Sequence, residues 1–308
     1  MLVALSILPI FLVIALGFLG GRRGLFPPQF VGPANRLAFY LAIPALVFRA
    51  VSRAPLTESW QPLPALAGVA AQLITWFLAL LAVRLVLARG SAPPGVRASW
   101  LQATVHGNQA ILGLAVVFYG LGEAGLSTAG LIVTAIILMQ NFLSVVSFVR
   151  WGEGEAGQGS LVKSILLNPI ILATVAGLAW SLTGWKMPTV LDRTLQILGN
   201  MGLPLALLII GSNLAQGRLG RDWKGLLSLE AFKLLIMPAV GLILLTILGV
   251  EHLAAAVTVI LLASPTATIS VIMAGEMGGD SRLSSQAVTL SHALSAVTYT
   301  FWLWWLTG

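Results

Sequence analysis

The hydropathy pattern repeats one theme: about twenty apolar positions in a row, then a few polar or turn-forming ones. Runs of that length match a helix crossing a bilayer. Ten of them fall near 2–20, 34–51, 62–88, 99–119, 127–149, 164–183, 192–215, 226–248, 253–275 and 285–306. The connections are short and carry Gly, Pro or charge, as in Gly20-Gly21-Arg22-Arg23-Gly24, Gly90-Ser91-Ala92-Pro93-Pro94-Gly95 and Gly217-Arg218-Leu219-Gly220-Arg221. The most polar is Gly152-Glu153-Gly154-Glu155-Ala156-Gly157-Gln158-Gly159-Ser160, a flexible linker that separates five spans from five. The expected fold class is an all-α integral membrane protein: residues 1–150 as a first five-helix unit, 151–163 as linker, 164–308 as a second unit.

Two spans break the pattern. Leu261-Leu262-Ala263-Ser264-Pro265-Thr266-Ala267-Thr268-Ile269-Ser270 carries a proline and four hydroxyl residues where a spanning helix should continue. Proline removes a backbone donor and clashes with the preceding turn, so the helix is expected to break there. In lipid such a break is tolerated only where protein or a water-filled cavity re-satisfies the freed groups. The first-half counterpart is Val105-His106-Gly107-Asn108-Gln109-Ala110, also polar and also mid-span. Interrupted spans in matching positions of two halves point to a transporter's binding site.

The halves also echo each other. Leu8-Pro9-Ile10-Phe11-Leu12 with Gly17 matches Asn168-Pro169-Ile170-Ile171-Leu172 with Gly177, and Pro44 matches Pro204. Both proline pairs are 35 residues apart (9 to 44, 169 to 204), and the common shift of 160 carries Asn108 onto Thr268. With an odd number of spans in each half, the halves lie in opposite orientations, which is an inverted repeat.

Composition agrees with a membrane solvent. Of 308 residues 58% are hydrophobic and 9% charged, with mean hydropathy +0.96, against about 25% charged in a soluble domain. There are no cysteines, which excludes disulfides, thiolate metal sites and cysteine nucleophiles. The net charge of +7 does not indicate a nucleic-acid partner, because no basic cluster is interleaved with aromatics. The basic residues sit at span ends instead. Arg22, Arg23, Arg36, Arg84, Arg89, Arg97, Arg150, Lys163, Arg218, Arg221, Lys224 and Arg282 fall on one side, and only Arg49, Arg53, Lys186 and Arg193 on the other. The richer side is expected to be cytoplasmic, so both termini are expected to be extracytoplasmic, in a plasma (inner) membrane. Tryptophans at span ends fit an aromatic belt. Met1–Gly20 lacks a basic region ahead of its apolar run and reads as a retained span, not a cleaved signal.

The candidate chemistry follows from the two breaks. The fourth and ninth spans run in opposite directions, and the second half of each starts with free N–H groups near mid-membrane. Helix N-termini favour anions. Asn108, Gln109, Thr266, Thr268 and Ser270 offer side-chain hydrogen bonds beside them, and Asn141 is a weaker cavity-lining candidate. A carboxylate suits this arrangement, although the opposing carbonyl ends would hold a cation. The competing role for Asn108 and Gln109 is interhelical hydrogen bonding. Glu230 and Lys233 lie one turn apart within the eighth span, near enough to pair, and ionisable groups at that depth are functional candidates. A structural ion pair and a proton or coupling-ion site both remain open. His106 and His292 are protonation switches or satisfied core histidines. Pro44 and Pro204 are expected to kink their helices.

Enzyme signatures are absent: no His-Glu-x-x-His, no Gly-x-Ser-x-Gly and no phosphate loop. Met277-Gly278-Gly279-Asp280 superficially matches an intramembrane aspartyl protease, but Asp192 and Asp222 sit in or near loops. No cofactor is expected. Transport would run downhill or on a gradient of H+ or Na+.

Several stretches resemble the auxin efflux carrier family, which includes bacterial permeases and plant PIN proteins. They are Phe39-Tyr40-Leu41-Ala42-Ile43-Pro44-Ala45-Leu46-Val47-Phe48, Asn168-Pro169, Leu203-Pro204-Leu205-Ala206-Leu207, Lys233-Leu234-Leu235-Ile236-Met237-Pro238, Pro265-Thr266-Ala267 and Gly278-Gly279-Asp280. The resemblance spans essentially the whole chain. It implies two inverted five-span repeats, similar to bile-acid symporters and NhaA-type antiporters. Helices 1, 2, 6 and 7 would form a scaffold, and helices 3–5 and 8–10 a transport domain moving by an elevator motion around the crossed helices 4 and 9. It further implies organic-anion substrates and a homodimer. By position Asn108 matches the polar crossing residue of the fourth span and Pro265 the crossing proline of the ninth. Where the family often has a proline soon after that Asn, this chain has Gly113-Leu114-Ala115. Sodium coupling in the bile-acid relatives uses acidic and amide side chains near the crossing. Glu276 and Asp280 lie toward the inner end of the ninth span instead, which favours uniport or proton linkage. The function expected is a secondary carrier for an organic carboxylate. The alternatives are a non-transporting receptor or sensor for the same anion, and a sodium-coupled symporter.

Overall fold

The computed structural model describes residues 2–53, 62–84, 92–152, 169–216 and 223–307. The linker from 153 onward, the expected span start at 164–168 and the connections at 85–91 and 217–222 lie outside the described residues. The described chain is helical, joined by turns and by a single two-residue bridge.

Helix α1 is Leu2–Arg22, α2 is Pro28–Leu37 and α3 is Ile43–Ser52. Helix α4 is Pro62–Ala82, α5 is Pro94–Val105, and α6 is Leu114–Trp151. In the second half α7 is Pro169–Leu182, α8 is Thr189–Gln216, α9 is Trp223–Ala231 and α10 is Met237–Ile247. Then come α11, His252–Leu262, α12, Ile269–Glu276, and α13, Ser281–Thr307. Four of the helical stretches are long and apolar enough to cross a membrane: Pro62–Ala82, Gln109–Trp151, Thr189–Ala215 and Gly225–Ile247. This is an all-α membrane protein.

Proline sets many of the boundaries. Pro28, Pro62, Pro94 and Pro169 open their helices, where the missing N–H costs nothing and the fixed φ suits the first turn. Inside a membrane segment the ladder slips instead of ending. Ahead of Pro44, residues Ala38–Ala42 form a π turn in which Ile43 N–H bonds Ala38 O. Ahead of Pro238, Phe232–Ile236 does the same, with Met237 N–H on Phe232 O. The freed Leu234 carbonyl, four residues before Pro238, instead accepts from Trp302 Nε1 at 2.9 Å. The Glu251 carboxylate caps α11, accepting from Leu253 N (3.0 Å) and Ala254 N (3.2 Å).

The expected loop between the fourth and fifth spans is a single glycine. Gly122 has φ 73° and ψ −167° inside α6, a backbone that only glycine adopts without strain. The Gly278-Gly279-Asp280 stretch is likewise structural. Gly278 has φ 71°, Asp280 N bonds Ser99 Oγ at 2.7 Å, and Asp280 Oδ1 caps α13 through Arg282 N and Leu283 N, both at 2.9 Å.

Two sets of helices pack among themselves. Helix α1 lies along α8, and α3 lies against α7 and α8. In the other set α6 packs on α4, α5 and α11, α10 on α4, and α12 on α13. Small residues allow the close approach in the first set. A side chain on Gly17 would meet the Leu208 backbone, and one on Gly177 would come within 3.0 Å of Phe48 O. These two contacts exchange under the 160-residue shift (17 to 177, 48 to 208). The Ala42–Gly202 approach of α8 to the π turn before α3, 3.1 Å to the carbonyl carbon, exchanges onto itself.

Candidate functional site

The two sequence breaks meet. Helix α5 stops at Val105 and α11 at Leu262, and the unwound segments after them pair as antiparallel chains, with Gly107 opposite Thr266. Asn108 N donates to Pro265 O at 2.7 Å, and Ala267 N donates to His106 O at 2.9 Å. These two bonds exchange under a shift of 159 (266 against 107), one less than the helix contacts give. The counterpart of Asn108 at the crossing is therefore Ala267, not Thr268.

Buried backbone groups need partners, and side chains supply the remainder here. The Gln140 amide accepts from Gly107 N (2.9 Å) and donates to Gly107 O (3.3 Å). It does for Gly107 what a neighbouring strand would do. Thr266 N donates to Ser291 Oγ at 3.1 Å, and Thr266 Oγ1 donates to Ala103 O at 3.2 Å. Gln102 Nε2 donates to Ser270 Oγ at 3.1 Å, and Tyr299 OH to Ser264 Oγ at 3.0 Å. Thr266 and Ser270, expected at a ligand, thus hold the crossing together.

A cavity of about 630 Å³ opens against one side of the crossing. Of the expected site residues Asn108, Thr268, Asn141, His106 and His292 line it; Gln109, Pro265, Thr266, Ser270, Glu230 and Lys233 do not. The cavity also takes Arg36 and Tyr40 from the α2–α3 stretch, Asn213 from α8, Gln140 from α6, and Ser285 and Thr289 from α13. Sequence reasoning missed these. Arg36 was counted as an orientation charge, and the signals available were its i, i+4 spacing to Tyr40 and the adjacent amides Gln140-Asn141.

Among the described residues the lining contains one group of fixed charge, Arg36, and no carboxylate. The histidine tautomers follow from their partners. His292 Nδ1 lies 2.8 Å from the Val288 carbonyl and must donate to it, which leaves Nε2 as an acceptor for Asn108 Nδ2 at 3.3 Å. Ser144 Oγ donates to Gln140 O at 2.6 Å, so its contact of 2.8 Å to His106 Nδ1 has the ring donating. His292 positions Asn108, while the hydroxyls and amides of Thr268, Asn141, Asn213 and Ser285 remain at the cavity wall; the Thr289 hydroxyl donates to Ser285 O at 2.9 Å. Such a wall recognises an anion with several acceptor atoms.

Lys233 approaches the crossing without entering the cavity. A methyl group on Gly107 would fall 2.6 Å from Lys233 Nζ and 2.6 Å from Gln109 Nε2, so both packed ends rest on the unwound backbone. Lys233, Glu230 and Gln109 are buried, and among the described residues their polar ends have no hydrogen-bond partner. Glu230 and Lys233, for which a structural pair and a proton or coupling-ion site were both left open, form no ion pair within 4.0 Å among the described residues.

Comparison with known proteins adds a second line. A family model described as membrane transport protein matches residues 2–158 and 156–303. The chain is similar to the "Putative malonate transporter" of Rhizobium meliloti, 28% identical over 96% of this chain and 92% of the relative. It is also similar to an "Uncharacterized transporter" of Methanothermobacter thermautotrophicus, 25% identical over 96% of each chain. A third relative is the "Uncharacterized transporter YfdV" of Escherichia coli, 24% identical over 97% of this chain and 96% of the relative.

Proposed function

We propose, because this chain belongs to the membrane transport protein family that includes the auxin efflux carriers, that it is a secondary carrier for a small organic carboxylate. The substrate is held at the crossing of the two broken spans and moved by alternating access. The observation that carries this reading is the cavity: one wall is the unwound crossing, another presents Arg36, and no carboxylate is among the described residues that line it. Arg36 would take a carboxylate as a bidentate pair, with Asn108 and Thr268 bonding it from the crossing. A relative bears malonate in its name, which makes malonate the first substrate to try.

The same reading takes the chain as two inverted five-span halves. The exchanging contacts Gly17–Leu208 and Gly177–Phe48 support it. The helix set around α1, α3, α7 and α8 is the scaffold, the set around α4–α6 and α10–α13 the moving body, and substrate sits between them. Coupling is to protons or absent. Glu230 and Lys233, buried on the same helix, with Lys233 against the unwound Gly107, are the groups for it.

Uptake of malonate into proteoliposomes tests the proposal, with sodium and pH gradients imposed in turn. Saturable uptake indifferent to sodium is expected. Saturable binding without any flux contradicts the carrier and favours a receptor, and uptake that requires sodium contradicts the coupling.

A further inference from the structure

A dicarboxylate entering the cavity would bring two negative charges to a wall that offers one positive charge. Among the described lining residues only Arg36 is permanently charged. His292 accepts from Asn108 Nδ2 through Nε2 while its Nδ1 faces the Val288 carbonyl, so its ring is neutral. His106 is buried with its Nδ1 on Ser144 Oγ, and Tyr40 adds a phenol. Asp280 and Arg282, on the turn from α12 to α13, do not line the cavity. Behind the crossing stand Lys233, against Gly107, and Glu230, three residues earlier. Both are buried and they are opposite in sign, so as a pair they cancel.

The remaining wall is polar and uncharged. Asn141 of α6 and Asn213 of α8 present amides, Thr268 and Ser285 hydroxyls. Amides and hydroxyls both donate and accept. A protonated carboxyl needs that combination, because its O–H seeks an acceptor and its carbonyl a donor. A carboxylate only accepts, and it leaves the acceptors of such a wall unmatched. As the site passes from one face to the other it must also be sealed from water. A second carboxylate without a cation is then far more costly to hold than the neutral acid. Keeping the proton on the substrate costs about a tenfold factor in concentration for each pH unit above its ionisation. Near neutral pH, protonation is the smaller cost.

We propose that the cavity carries a dicarboxylate as its monoanion, with one carboxylate on Arg36 and the other carboxyl protonated against the Asn141 and Asn213 amides. The inference rests on the carrier reading and adds the charge state of the substrate. The proton enters on the substrate and leaves on it, and no side chain takes it up. One negative charge and one proton therefore move together. Uptake then follows acidity even where no group of the protein changes its protonation. A monocarboxylate of the same length, with an amide in place of the second carboxyl, fits the same wall.

Malonamate, the monoamide of malonate, keeps one carboxylate and cannot acquire a second charge. Initial uptake of radiolabelled malonate and radiolabelled malonamate is measured in proteoliposomes well below saturation, with the same pH on both faces. Above malonate's second ionisation its uptake is expected to fall about tenfold per pH unit, as the monoanion becomes scarce, while malonamate uptake stays level. Malonate uptake that holds or rises over this range shows carriage of the dianion and overturns the inference while sparing the carrier. Uptake of malonate with none of malonamate does the same, because the wall then rejects a neutral second end. A parallel fall of both compounds places the titration in the protein, on Glu230, Lys233 or a histidine, and overturns it as well. Uptake of neither compound at any pH, with the protein folded, overturns the carrier reading and this inference together.

Discussion

At the crossing, single side chains decide whether a broken helix survives in a membrane interior. Gln140 satisfies both backbone groups of Gly107. Gln140→Leu would leave a buried donor and acceptor unpaired, at roughly 1–3 kcal/mol each. The measurement is the thermal midpoint in detergent, which should fall clearly below wild type; an unchanged midpoint would mean that water or another group takes over. Gly107 is equally constrained from the other side. Gly107→Ala pushes a methyl group into Lys233 Nζ and Gln109 Nε2. Its loss of thermal stability in detergent should be partly recovered by adding Lys233→Ala, because the two substitutions act on one contact. Additive losses of stability would mean that Gly107 and Lys233 do not share that contact.

At the level of elements, π turns fix which residues face the cavity. Pro44 forces the wide turn at Ala38–Ala42, between Arg36 and the rest of its helix. Restoring a regular ladder there turns the preceding segment by about 100°, one residue of a 3.6-residue turn. Pro44→Ala should therefore weaken malonate binding several-fold while costing little stability; unchanged affinity would mean that Arg36 reaches the anion from either phase. This is also why the site was only partly legible in the sequence. The breaks at Asn108 and Pro265 were visible because proline and amides stand out against an apolar run. Arg36 and Tyr40 were not, since their phase depends on a ladder slip that hydropathy does not encode. Asn213 and Gln140 read as ordinary polar residues until packing placed them. Thr266 and Ser270 show that hydroxyls near a break also serve packing: Thr266 bonds the Ala103 carbonyl and Ser270 the Gln102 amide.

Over the whole molecule, the apolar pattern made the all-helical membrane class plain, and the connecting turns were less so. The loop expected after residue 119 is one glycine, and Gly278-Gly279-Asp280 is a capped turn. The close contacts of Gly17 with Leu208 and Gly177 with Phe48 tie the halves together. If these contacts are equivalent, Gly17→Val and Gly177→Val should lower the thermal midpoint by comparable amounts, each forcing the backbones apart at a cost of about 1–3 kcal/mol. A large effect at one and none at the other would argue against an exchanging pair of halves.

The central claim is that a carboxylate sits between Arg36 and the crossing. Isothermal titration of malonate into purified wild-type protein, Arg36→Gln, Arg36→Lys and Asn108→Ala tests it most directly. The account predicts that Arg36→Gln weakens binding about ten- to a hundredfold, the range of a charge-assisted bond. Arg36→Lys should recover part of the loss, and Asn108→Ala should fall between them. Malonate affinity equal to wild type in both Arg36→Gln and Asn108→Ala would contradict it and place the anion elsewhere.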